Sequence, residues 1–111
     1  MKLPNGNRAV VDLEKLTDYC LNPAHLRGRH KARVFRAVLG ISRQDAFWLR
    51  GQFLASARDK SNATPGEGDD YGQRYVLDFE VERFERRATV RTCWIVRTGE
   101  DFPRLTTCHV L

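Results

Sequence analysis

Gln73-Arg74-Tyr75-Val76-Leu77-Asp78-Phe79-Glu80-Val81 decides the fold class. Tyr75, Leu77, Phe79 and Val81 alternate with Arg74, Asp78 and Glu80, the period of a strand with one face buried. Downstream, the charged stretch Glu82 to Arg87 reads as a turn and Ala88 to Arg97 as a second strand. Thr98-Gly99-Glu100-Asp101 turns again, and Arg104 to Val110 closes the chain as a third strand. Connections this short favour an antiparallel meander.

Upstream the period becomes helical. Asp12 reads as an N-cap ahead of Leu13, Leu16 and Cys20, and Asn22-Pro23 ends that helix, because a residue before proline is pushed from helical geometry. A second helix runs from about Arg29 to Leu39, with Val34, Phe35, Val38 and Leu39 as its apolar face and Gly40 after its end. Ser42 and Asp45 have capping-box spacing, and Ala46, Leu49, Phe53 and Ala57 form the stripe of a third helix, which Phe47, Trp48 and Leu54 widen. Lys60 to Gly72, rich in Ser, Asn, Pro, Gly and acids, reads as a mobile loop. The expectation is a single α+β domain over 1–111: a helical part at about 12–58, the loop at about 60–72, and a sheet part at about 73–111. The helices pack on one face of an antiparallel sheet of three to four strands, Ala9-Val10-Val11 supplying the possible fourth. Which strand face is open the sequence leaves undecided, since both alternations carry apolar residues.

The chain has 111 residues, 41% of them apolar and 30% charged, which suits one folded domain rather than a disordered segment. No apolar run could span a bilayer, and nothing after Met1-Lys2-Leu3-Pro4-Asn5-Gly6 resembles a signal peptide, so a cytoplasmic address without membrane contact is expected. In that compartment Cys20, Cys93 and Cys108 read as reduced thiols, and without paired ligand spacing no metal or other cofactor is expected. Nineteen Lys and Arg against fourteen Asp and Glu give a formal charge of +5. Arginine predominates, which favours bidentate contacts to phosphate.

Two constellations carry chemistry. Asn22 to Phe35 places His25, His30, Lys31 and several arginines around Gly28, which permits a tight approach. Lys31 stands three and four residues before Val34 and Phe35, on the apolar side of its helix, whereas Arg33 and Arg36 fall opposite. Each has a structural alternative: Lys31 as a stem covering apolar surface, His25 as a partner of local backbone, His30 as a solvent-facing side chain. The second constellation is Arg91-Thr92-Cys93-Trp94 beside Arg74 and Tyr75, where Trp94 could equally be core and Arg91 an edge charge. Histidine exchanging protons and cations stabilising a phosphoryl oxygen are the parts that RNA cleavage by 2′-hydroxyl attack requires. Gly66-Glu67-Gly68 lies among acids and is no phosphate cradle, and no nucleophilic serine motif is present.

The run Lys15-Leu16, Tyr19, Leu21-Asn22-Pro23, His25, Gly28, Lys31-Ala32-Arg33-Val34-Phe35, followed by Tyr71 to Tyr75, Arg91-Thr92, Trp94, Asp101 and Pro103-Arg104-Leu105, resembles a family of small bacterial domains. Leu26 departs from the proline that commonly follows the histidine there. Members resemble the toxin half of toxin–antitoxin or polymorphic toxin systems. Their order of helices then sheet is similar to the barnase–EndoU–colicin–RelE group of metal-independent ribonucleases. The resemblance implies His25 as general acid or base and Lys31 and Arg91 as phosphate and transition-state contacts. It implies Tyr75 or Trp94 as stacking or supporting residues, with Arg74 and Arg33 also on the substrate. RNA is the implied substrate and an acidic antitoxin or immunity protein the implied partner. Non-catalytic nucleic-acid binding and protein interaction remain the alternatives.

Overall fold

The alternation around Leu77 belongs to a strand longer than the apolar pattern alone, running over Gly72–Arg83 and turning at Phe84-Glu85 into Arg86–Arg97. The computed structural model describes residues 1–111. In chain order the strands are β1 (Thr64–Asp69), β2 (Gly72–Arg83), β3 (Arg86–Arg97) and β4 (Pro103–Val110), adjacent in that same order and antiparallel throughout. Register between β2 and β3 is unbroken from Gly72↔Arg97 to Arg83↔Arg86. The β3–β4 ladder shifts once, between Cys93 and Trp94.

The fourth strand is not where the sequence pointed. Ala9–Val11 supplies only one parallel bridge, Val10 to Arg104. The fourth strand is β1, inside the stretch expected to be a mobile loop. Thr-Pro-Gly-Glu-Gly-Asp is exposed along its whole length, so it has no buried face to create an alternating pattern. It is held by backbone pairing to β2, irregular between Pro65 and Gly68, as an edge strand with proline and glycine can be.

Three helical segments precede the sheet. Helix α1 (Leu13–Lys15) continues as a π-helical turn over Leu16–Cys20, and α2 (Arg29–Val34) likewise over Phe35–Leu39. Gly40, with φ of 67°, ends the second in the left-handed conformation that glycine adopts without strain. Helix α3 (Ala46–Asp59) follows a 3-10 turn over Arg43–Asp45, where the Ser42 amide donates to Asp45 Oδ2 at 2.9 Å, closing the expected capping box. Asp45 also pairs with Arg83 of β2 at 2.8 Å, both side chains largely buried, so the start of α3 is fastened to the hairpin end of the sheet. No helix is long and apolar enough to cross a membrane.

The core forms where Leu16, Cys20, Phe35, Leu39, Leu49 and Phe53 of the helices meet Leu77, Phe79, Val81, Val90, Trp94, Leu105 and Cys108 of the sheet. Burying each large side chain contributes about 1.5–3 kcal/mol. The rings of Phe53 and Phe79 meet edge-on at 5.7 Å, joining α3 to β2. Alternation then settles which face is covered. Thr92 and Trp94 point under the helices, and Asp78, Arg91 and Cys93 point the other way.

Candidate functional site

The uncovered face brings three strands to one row. Asp78 of β2 is the register partner of Arg91 of β3, which is the register partner of His109 of β4. Directly opposed residues in antiparallel strands place side chains on the same face within contact reach. Arg91 donates from Nε and Nη2 to the two carboxylate oxygens of Asp78, both at 2.9 Å. This pair holds the Asp78 carboxyl below its ordinary range, against the opposing effect of burial. A recess of about 260 Å³ lined by Asn62, Thr64, Val76, Asp78 and Arg91 opens beside the row.

In the neighbouring row Cys93 opposes Thr107, and Lys31 enters over the β4 edge from α2. Its ammonium donates to Thr107 Oγ1 at 2.7 Å and to Tyr19 Oη at 2.9 Å, and stands 4.8 Å from the centre of the Tyr19 ring. No carboxylate pairs with it. An ammonium held by two hydroxyls has no counter-charge beside it, so it is open to an anionic ligand in a way an ion-paired lysine is not.

His25 packs edge-on to Tyr19, ring centres 4.9 Å apart. Its Nδ1 accepts the backbone N–H of Arg27 at 3.0 Å and of Gly28 at 2.9 Å, so Nε2 carries the ring N–H and is left as a donor. Gly28 packs tightly on the turn that continues α1: a Cβ there would lie 2.1 Å from the Tyr19 carbonyl oxygen. The approach expected at this glycine therefore exists, and it sets where Tyr19 stands relative to Lys31.

His109 was not singled out from sequence as part of a site. Its ionisation is pushed below the ordinary histidine value, chiefly by burial, then by the charges of Lys31 and Arg91, with Asp78 opposing. It is thus neutral at neutral pH, the form that accepts a proton.

A family described as domain of unknown function DUF6883 matches residues 2–111. The chain belongs to the DUF6883 family. No curated protein and no solved structure matches it.

On this DUF6883 fold the residues expected to act together divide. Lys31 and Arg91 share the uncovered face, whereas His25 touches only Tyr19, the residue that holds Lys31. Arg74 is on the same face but donates to Asp69 at 2.7 Å and clamps β1 to β2. Trp94 is 1% exposed and donates its Nε1–H to Thr92 Oγ1, so it is a core residue and cannot stack on a base. Tyr75 shares its covered face and packs against the core, which removes it from the Arg91 row as well. Arg33 is exposed on the far side of α2 from Lys31, in an arginine-lined cavity. Tyr19, Thr107, Asp78 and His109 complete the site, and sequence reasoning assigned a role to none of them.

Proposed function

We propose that this chain cleaves RNA without a metal ion, as the toxin half of a bacterial toxin–antitoxin or polymorphic toxin system. The observation that carries the reading is the Lys31 ammonium, half-buried and without a carboxylate, on one sheet face with Arg91 and His109. A neutral histidine removes the 2′-hydroxyl proton, O2′ attacks the adjacent phosphorus, and the P–O5′ bond breaks. The departing O5′ takes up a proton. The products are a 2′,3′-cyclic phosphate and a 5′-hydroxyl end.

His109 suits the base, since burial and two cations keep it neutral. His25 has its Nδ1 occupied by two backbone N–H donors, so its Nε2–H can donate a hydrogen bond to a phosphate oxygen, while O5′ takes its proton from water. Lys31 stabilises charge developing on the non-bridging oxygens, the larger share of catalysis in reactions of this type. Arg91 contacts phosphate while Asp78 holds its orientation. A chain of formal charge +5 also suits an acidic antitoxin or immunity protein as partner.

One observation favours a second reading. Arg91 spends Nε and Nη2 on Asp78, and His25 serves its own turn, as they would in a non-catalytic binding domain. Induced expression of the native chain beside Lys31→Ala separates the two. Growth arrest with RNA fragmentation in the native strain alone supports cleavage. Intact RNA and normal growth with good soluble yield of both would end it.

A further inference from the structure

The largest cavity lies away from the Lys31 face. It measures about 830 Å³, within the range of ligand sites, and its wall includes Arg29, Arg33, Arg36, Arg43 and Arg86. Arg29, Arg33 and Arg36 recur at helical spacing on one stripe of α2 and its continuation, covering roughly 10 Å along the axis. Arg43 enters from the 3-10 turn before α3, and Arg86 from the start of β3. No carboxylate lines the cavity. Arg43 alone has an acidic neighbour, Asp18 at 3.6 Å, and Arg86 reaches only the Ala37 carbonyl at 3.4 Å. Five guanidinium groups gathered this way repel one another unless an anion lies among them.

Arg86 also lines the adjoining cavity at the hairpin tip, with Leu39, Gly40, Arg83, Phe84 and Glu85. Phe84 is 86% exposed and held at a φ of 56°, a left-handed conformation that costs a bulky side chain free energy. Its ring lies over the Arg83 guanidinium at 5.1 Å, and Trp48 lies against the same guanidinium at 4.4 Å. Glu85 is the sole carboxylate lining either cavity.

We propose that this arginine groove carries the phosphodiester backbone of single-stranded RNA and that Phe84 stacks on one of its bases. The inference rests on the RNA-directed reading above and adds to it a binding surface on the opposite side of α2 from the cleavage site. Guanidinium groups grip phosphate oxygens in pairs, and an exposed ring at the end of a basic groove is how single strands are held without sequence preference. An acidic protein segment would satisfy the arginines but leaves the strained, exposed Phe84 unexplained.

The test is fluorescence anisotropy with a labelled single-stranded 2′-deoxy oligonucleotide, which lacks the hydroxyl needed for cleavage. Arg33→Gln/Arg36→Gln should weaken binding roughly tenfold and make the log–log salt slope shallower by about 1.4, two phosphates at about 0.7 each. Phe84→Ala should weaken it roughly tenfold at unchanged charge. Lys60→Gln/Arg97→Gln, which removes equal charge from exposed positions outside both cavities, should change it far less. Equal losses in the two double variants would overturn the proposal, because net charge would then suffice. So would retention of binding by the groove variant, or a groove that takes polyglutamate and ignores the oligonucleotide. Binding at the groove by a chain that cleaves no RNA leaves the groove standing and removes only the ribonuclease reading. Melting followed by circular dichroism confirms that the variants compared are folded.

Discussion

Lys31 Nζ and Thr107 Oγ1, 76 positions apart in sequence, lie 2.7 Å from each other, and that contact joins the N-terminal helices to the edge of the sheet. It fixes a positive charge where the uncovered face meets the helical layer. Tyr19 supplies the second acceptor. The three side chains make one unit whose purpose differs between a structural and a catalytic role.

Thr107→Val separates those roles. A hydrogen bond to a charged group contributes about 1.5–3 kcal/mol, so melting should show a loss of that order or less. If the ammonium acts on phosphate, single-turnover RNA cleavage at a pH and temperature where the variant is folded should fall about tenfold. Loss of stability with an unchanged cleavage rate would make the contact structural only.

His109 sets an acid limb. An unfolded histidine titrates at about 6.5, and burial together with Lys31 and Arg91 lowers the folded value. The folded state therefore binds this proton less readily. His109 contributes stability that is present above the unfolded value and lost as pH falls through the lowered folded one. Cleavage using it as base should hold its plateau below pH of about 6.5 and decline only in more acidic solution. Arg91→Gln removes one of the two cations that oppose Asp78 at His109, so the limb should move to higher pH. NMR titration of the imidazole should move with it.

Gly28→Ala should damage the site from a distance. The added Cβ would lie 2.1 Å from the Tyr19 carbonyl oxygen and 2.8 Å from its ring, and neither is a flexible tip. Overpacking of this kind costs about 1–3 kcal/mol. Calorimetric melting should register the loss. Because Tyr19 must shift, cleavage by the folded fraction should fall too.

Phe84→Gly should do the reverse for stability. Glycine adopts the φ of 56° freely, and Phe84 buries little that would be lost. A gain of about 0.5–1 kcal/mol is expected in thermal melting. Affinity for single strands should drop in the same variant, since the ring is the stacking surface.

The sheet could be read from Tyr75, Leu77, Phe79 and Val81 because burial of one face imprints a period of two on the sequence. The cap at Ser42 and Asp45 was legible for a similar reason, as both partners lie within one turn. Thr64–Asp69 was not legible, because an exposed edge strand held by backbone bonds places no demand on its side chains. The site was half legible. Lys31 stood out by sitting on the apolar side of its helix, but its acceptors come from Tyr19 and from a strand far along the chain. His109 gave no local signal, since its character depends on Arg91 across the ladder and on Lys31 over the edge. Trp94 misled because Arg91 and Trp94 are close in sequence but point to opposite faces, and the register alone decides which is covered.

Purified native chain and Lys31→Met, incubated without added metal and with chelator on end-labelled RNA and its 2′-deoxy counterpart, test the central claim most directly. The account predicts that only the native chain cleaves, that it cleaves only RNA, and that the products carry 2′,3′-cyclic phosphate ends. RNA left intact by folded native chain, or cut equally well by the folded variant, would contradict it.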